Sequence, residues 1–372
     1  MSMDRNAIEA QPLQCEFARC CLLANDSTDE KVLIEHAIAG VGSSLHRGAV
    51  PNGTKSAGEN EPAGENESAG ENESAGEGES VSDGGASRAA QVAALAEQIN
   101  AEDCDWCVAF GGDGTINLAV NALYRSGRRM PLVIVPGGTG NDFVRNFLSA
   151  ETPLDVEDAA SHFRFRGVDL AELRLDGGEA FVFANMLTMG NGAEKSALID
   201  SEVKSRWGAL VYVMQFWKSV ADIQTFEAII GTDSGERSIE ASDLFLANGL
   251  TCGGGYCVAP GARVDDGVLH LIAIRTGTML QQLDLAKAFF SGEHLTHDLV
   301  YHEPIKSIEV RLSRQQNLTI DGEPLEASAF TARVLPGYQP TLVCPLDGLR
   351  YLAGAVEQSR CSPVRRPTPG TV

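Results

Sequence analysis

The chain has 372 residues and a formal net charge of −22, from 29 Lys and Arg against 51 Asp and Glu. That acidic excess argues against nucleic acid as a partner, because a phosphate backbone is bound by clustered cations. It also argues against bare electrostatic attachment to an anionic membrane. The length allows two compact domains, and 43% hydrophobic with 22% charged residues is the make-up of an ordinary globular protein.

The amino-terminal stretch MSMDRNAIEAQPLQ lacks the basic-then-apolar layout of a secretory signal. The cysteines are scattered, and the chain reads as cytoplasmic with reduced thiols. Cys104 and Cys107 have CxxC spacing but no second pair to complete a zinc site, so buried thiols are the better reading. No run approaches the ~18 apolar residues of a membrane span, so any lipid is reached from the surface, peripherally.

Residues Ser56 to Ser80 repeat Ala, Gly, Glu, Asn, Glu and Ser or Pro without a large aliphatic residue. Such a segment cannot offset its ordering entropy, and 54–84 reads as a disordered acidic insertion. Val92, Leu95, Ala96 and Ile99 then mark an amphipathic helix over Ser87 to Asn100. The apolar run Trp106 to Phe110 meets Gly111-Gly112-Asp113-Gly114-Thr115. Ile116, Ala119, Val120 and Leu123 give a second helix, closed by Ser126 and Gly127. Leu132 to Val135 is a buried-strand candidate ended by Pro136. Helix, strand, glycine turn, helix and strand make an α/β unit.

From about Val168 the pattern becomes short β-rich runs: Phe181 to Phe183, Phe245 to Ala247, Val268 to Ile274, Ile308 to Leu312 and Leu318 to Ile320. A mostly antiparallel second domain is expected. Gly208 to Val220, apolar around most of its circumference, reads as a buried helix in preference to a lipid-contacting face.

The glycines of the first turn leave a strand and enter a helix, so backbone N–H groups approach an anion with no Cβ between, and the helix N-terminus adds positive potential. Asp113 is the loop's acid, placed for a Mg²⁺ that bridges nucleotide phosphates, and Thr115 offers a hydroxyl. The competing reading is a tight turn with no ligand. A second glycine turn, Pro136-Gly137-Gly138-Thr139-Gly140-Asn141-Asp142-Phe143, follows the next strand, and two such turns on consecutive strands line one crevice. Taken alone, Asp321-Gly322-Glu323 and Asp265-Asp266-Gly267 are turn signals, and His294 with His297 lacks a third metal ligand and reads as structural.

Four motifs in order carry a resemblance: GGDGT with Asn117, PGGTGNDF, APGARVDDGVLHL at Ala259 to Leu271, and TIDGEPL at Thr319 to Leu325. The chain resembles the diacylglycerol kinase catalytic-domain family, related to sphingosine and ceramide kinases, from roughly Ala86 to Pro345. The resemblance implies an α/β ATP-binding domain like that of NAD kinase and phosphofructokinase over 1–167 and an all-β (β-sandwich) domain over 168–345. The tail 346–372 would return to the first domain.

It implies ATP and Mg²⁺ as cofactors and a membrane lipid as substrate. Gly111, Gly112, Asp113, Gly114, Thr115, Ile116, Asn117, Thr139, Asn141 and Asp142 would lie at the nucleotide, with Asp113 and Asp142 near its metal. Glu323 would be the general base. A separate Mg²⁺ would be held by Asp266 and the main-chain carbonyls of Arg263 and Val268, with Asp169 in a water network beside it. A homodimer is compatible with this reading.

Two departures stand out. The family's opening Asn-Pro-x-Ser-Gly turn corresponds here to Asn25-Asp26-Ser27-Thr28, and the acid that commonly follows Asn117 is replaced by Leu118. They motivate a competing reading as a catalytically weakened nucleotide-binding member. An NAD kinase-like small-molecule kinase is the other alternative.

Overall fold

A computed structural model describes residues 19–24, 44–49, 82–102, 105–138, 140–147, 165–191 and 224–344. The acidic repeat, the apolar stretch at 208–220, the turn at 25–28, Cys104, Thr139 and the tail at 346–372 lie outside the described residues.

Strands β1 (Arg19–Ala24), β2 (Ser44–Ala49), β3 (Trp106–Gly111) and β4 (Leu132–Pro136) run parallel in the order β2-β1-β3-β4. Every residue of β3 is buried, and a strand covered on both faces reads as a continuous apolar run rather than an alternation. Helices α1 (Ser82–Ala101) and α2 (Asp113–Ser126) share a core with this sheet, in which Leu95 and Ile99 meet Leu118, Ala119 and Leu123. Helix α2 stops at Gly127, whose φ of 72° places it in the left-handed region; its N–H reaches back to the Tyr124 carbonyl.

The four-residue helix α3 (Asp142–Arg145) follows β4. Beyond it lie β5 (Arg166–Leu175), β6 (Phe181–Phe183), β7 (Met186–Gly190), β8 (Phe226–Thr232), β9 (Gly235–Ala241) and β10 (Asp243–Ala247). The short pair β11 (Thr251–Cys252) and β12 (Tyr256–Cys257) comes next. It is followed by β13 (Leu269–Ile274), α4 (Met279–Ser291), β14 (Val300–Ile305), β15 (Ser307–Ile320) and β16 (Glu323–Val343). Within this unit the strand pairs are antiparallel. They enclose Leu173, Phe183, Ile230, Leu246, Leu271 and Phe330, which makes the second unit the expected β-sandwich. Among the described residues no helix is long and apolar enough to cross a membrane.

Three features differ from the sequence reading. The two runs at Ile308 to Leu312 and Leu318 to Ile320 are one strand, β15, whose register against β16 shifts between Arg311 and Gln316. Helix α4 has no counterpart among the predicted elements, although a Thr278/Gln281 capping box starts it. Strand β16 is 21 residues long and spans both units. It begins in the sandwich at Glu323, and its last residues, Thr341 to Val343, pair in parallel with Leu132 to Ile134 of β4. The chain thus rejoins the first unit's sheet at the end of this strand.

Asn121 of α2 also joins the units. Its Nδ2 donates to the Val182 carbonyl at 2.8 Å and its Oδ1 accepts from the Val182 N–H at 2.9 Å, all of it buried. Asn121→Ala strands both main-chain groups of Val182, at a cost of about 1–3 kcal/mol for each buried group left unpaired. The expected result is a lower urea midpoint than wild type.

Candidate active site

The two glycine turns touch each other. The Gly137 N–H donates to the Gly111 carbonyl at 3.0 Å, and a Cβ built on Gly138 would lie 2.4 Å from the Gly112 Cα. No side chain fits there, so glycine at Gly138 is a packing requirement. Helix α2 begins at this contact with Gly112 as its N-cap and no side-chain cap, and an uncapped helix N-terminus is suited to an anion. Thr115 folds under Gly111, where a Cβ would come within 2.4 Å of Thr115 Oγ1. Ile116 faces the other way: it is buried in the first unit's core and its N–H is bonded to the Gly112 carbonyl. Asn141, at φ 50°, ties the second turn to itself by accepting from the Gly138 N–H and donating to the Gly138 carbonyl.

Both acids of these turns grip backbone amides. Asp113 Oδ2 accepts from the Asp142 N–H at 3.1 Å and Oδ1 from the Phe143 N–H at 3.0 Å. Asp142 reaches into the second unit, accepting from the Gly254 and Gly255 N–H groups, each at 2.7 Å. Burial pushes the Asp113 pKa above the usual carboxylate range, the two amides pull it back, and the neighbouring Asp142 charge adds to the rise. The acids thus fasten the first turn to the second and the second to the triglycine turn between β11 and β12.

Glu323 stands across the same crevice. A methyl on Gly114 would sit 3.4 Å from Glu323 Oε1, and one on Gly140 would sit 3.1 Å from Asp113 Oδ2. The Asp321-Gly322 turn that presents Glu323 has both residues at positive φ, 48° and 91°, as a tight two-residue hairpin demands. Asp321 is half-buried and saturated. It accepts from the N–H groups of Ala184, Asn185 and Met186 and from Asn117 Nδ2, at 2.9 to 3.1 Å. Burial raises its pKa and those four donors oppose the rise. Asn117 therefore carries the GGDGT helix directly to the DGE turn. Arg88 of α1 completes the cluster, with Nη1 3.1 Å from Glu323 Oε1 and Nη2 donating to the Gly114 carbonyl at 2.6 Å. Neither Arg88 nor the Asp321 anchor was found by sequence reasoning; a salt bridge or carboxylate grip between distant segments leaves no local pattern.

At the DDG turn, Asp266 Oδ1 accepts from the Val268 N–H at 3.1 Å, while Asp265 is paired with Arg166 and Arg263. The Arg263 side chain thus serves Asp265. Asp169, almost fully buried, accepts from the Gly267 and Gly337 N–H groups at 2.6 Å each. Its pKa is pushed up first by burial and then by Asp266 and Asp265. Asp266 Oδ2 stands 3.9 Å from His270 Nε2, and among the described residues no arginine forms an ion pair with it within 4 Å, so its hard oxygen suits a divalent cation. Among the described residues no three His, Cys, Asp or Glu side chains are gathered as a ready metal cage. His294 is fully buried, bonded through Nε2 to the Val258 carbonyl and stacked on Phe289, a packing role.

Asp321→Asn places an amide nitrogen where two N–H donors point, whichever way the side chain is turned. Each stranded donor costs about 1–3 kcal/mol, so the urea midpoint is expected to fall. A second measurement concerns pH. Burial lowers the pKa of His294, against the pull of the Val258 carbonyl, and lowers that of His302, helped by His270. The unfolded chain then binds more protons than the folded one below the ordinary histidine pKa of about 6.5. This part of the stability is full above that value and lost as pH falls through the depressed pKa values. Urea midpoints are expected to drop between pH 7 and pH 5, and to drop less in His294→Phe.

Residues 71–173 match the family model for the diacylglycerol kinase catalytic domain, and 185–342 match that for the YegS C-terminal NAD kinase beta sandwich-like domain. A probable lipid kinase YegS-like of Pseudomonas fluorescens Pf-5 is 30% identical over 231 residues, 61% of this chain and 74% of that protein. A diacylglycerol kinase of Bacillus subtilis is 28% identical over 242 residues, 64% of this chain and 76% of that one. The solved structure of a diacylglycerol kinase from Bacillus anthracis superposes with a TM-score of 0.54 at 18% identity, covering 88% of this chain and 98% of its own. Another solved chain from that organism reaches 0.61 at 22% identity, covering 92% and 98%. The shared fold and the two family matches, which meet the crevice from opposite sides, place this chain in the diacylglycerol kinase catalytic-domain family, a family of kinases.

Proposed function

We propose that this chain transfers the γ-phosphoryl group of MgATP to the hydroxyl of a membrane lipid, reached from the membrane surface. The observation that carries the reading is the position of Glu323, a partly exposed carboxylate beside Gly114 on the far side of the crevice from the two glycine turns. Phosphoryl transfer asks little covalent chemistry of a protein. It asks for phosphates held by fixed N–H donors, an acceptor hydroxyl in line, and a group to receive its proton.

The uncapped start of α2 and the second turn supply the donors. The acceptor oxygen forms a bond to the γ-phosphorus as the bond to the β,γ-bridging oxygen breaks. ADP leaves with that electron pair, and Glu323 takes the hydroxyl proton. Asp113 and Asp142 fasten the two turns to each other and to the sandwich, which fixes the donors in place. A Mg²⁺ in the second unit would be held by Asp266 with the carbonyls of Arg263 and Val268, where it would offset the negative charge of that turn.

The test is a phosphorylation assay with labelled ATP against a panel of lipid hydroxyls and against NAD, with Asp113→Asn as a blank. Labelled lipid is expected. Glu323→Gln is expected to lower turnover by about 10²- to 10⁴-fold, the range for general-base loss, while calorimetry shows ATP bound nearly as before. Transfer to NAD alone would replace the lipid acceptor in this reading, and a Glu323→Gln enzyme with wild-type turnover would remove the base.

A further inference from the structure

We infer that Arg88 is the positioning residue for Glu323, a clamp that fixes the base to the phosphate-side loop; the inference rests on the kinase reading above. One guanidinium spans the crevice. Its Nη2 donates to the Gly114 carbonyl at 2.6 Å and lies 3.4 Å from Asn117 Oδ1, while its Nη1 is 3.1 Å from Glu323 Oε1. Gly114 lies in the first turn of α2 and Glu323 opens β16, so a side chain of α1 joins the loop of one unit to the base of the other.

The bland reading is a surface ion pair. With Arg88 25% and Glu323 36% exposed, solvent screens the pair and its contribution to stability is small. What the geometry adds is direction. The guanidinium is planar, with donors in a fixed fork, and one arm is set by a main-chain carbonyl that cannot swing away. The other arm therefore points the carboxylate at a defined place.

Among the described residues no other side chain bonds the Glu323 carboxylate, so of these only Arg88 fixes its direction. A general base has to stand within about 2.6–3.2 Å of the proton it takes, and a misplacement on the order of 1 Å can cost about 10²-fold. The same fork makes the base follow the loop. Any shift of Gly114 when phosphates bind is passed through Arg88 to Glu323.

The experiment is a pair of double-mutant cycles on the full chain. In the lipid-kinase assay, Arg88→Ala is expected to lower kcat by about 10- to 100-fold and to leave KM for ATP within about a factor of two. In a Glu323→Gln background the same change is expected to cost less than about twofold, because the residue it positions no longer accepts a proton. Arg88→Lys keeps the charge without the fork and is expected to restore little of the lost turnover.

A thermal-melting cycle of Arg88→Ala with Glu323→Ala reads the contact without any substrate, and the two changes are expected to be non-additive. Additive losses of kcat, or full rescue by lysine, would overturn the clamp while leaving the kinase reading in place. Coupled melting with no phosphate transferred by the wild-type chain would overturn the kinase reading, with the contact still standing.

Discussion

Backbone amides gripped by buried and half-buried aspartates hold the crevice in shape. Asp113 takes the N–H groups of Asp142 and Phe143, Asp142 those of Gly254 and Gly255, Asp169 those of Gly267 and Gly337, and Asp321 three consecutive main-chain amides with Asn117. A carboxylate taken out of water is costly unless its oxygens are met by donors, and charge-assisted N–H bonds are the strong kind. In return, each grip removes the freedom of a flexible glycine-containing segment. The turns can then be glycine-rich, as close approach to an anion requires, without being loose.

The grips are linked in series. The GGDGT turn is tied to the PGGTGNDF turn, that turn to the triglycine turn of the sandwich, and α2 through Asn117 to the hairpin that presents Glu323. Asn146 reinforces the seam, accepting from the Leu250 N–H at 2.7 Å. Strand β16 closes the circuit through main-chain pairing alone. It leaves the site at Glu323 and re-enters the parallel sheet at Val343, opposite Ile134. The bend this demands is made at Pro336 and Gly337, where the pairing with β5 shifts between Leu335 and Gln339 and Asp169 holds the Gly337 amide. Glu323 and the two glycine turns thus belong to one continuous hydrogen-bonded framework.

The parts of this legible in the sequence were those with short-range signatures. The runs at Trp106 and Leu132 are apolar because strands covered on both faces have no polar side, and each glycine turn follows its strand directly. Strand β16 was not legible, because Pro324, Pro336, Gly337 and Pro340 read as breakers, whereas the fold places Pro336 and Gly337 at a bulge. Strand β15 was read as two because residues 313–315 are exposed and polar across its irregularity. The contacts that make the site, such as Asn117 to Asp321 across 204 residues, follow from the tertiary fold and have no local pattern. In the DGE segment the turn reading holds, since Asp321 and Gly322 form a tight turn, and that turn sets Glu323 beside Gly114.

A sequence shows which residues are acids but not what their oxygens are doing, and at this site occupancy separates carboxylates committed to main-chain amides from one that is not. Asp113, Asp142, Asp169 and Asp321 have both oxygens committed to N–H groups, so a proton arriving at any of them would displace a bond that holds a turn. Asp265 is held between two arginines. Among the described residues Glu323 has one cationic partner, Arg88, and it keeps an exposed edge, so a proton there breaks none of the main-chain grips. That difference, rather than proximity alone, is the reason to propose Glu323 as the proton acceptor ahead of these aspartates.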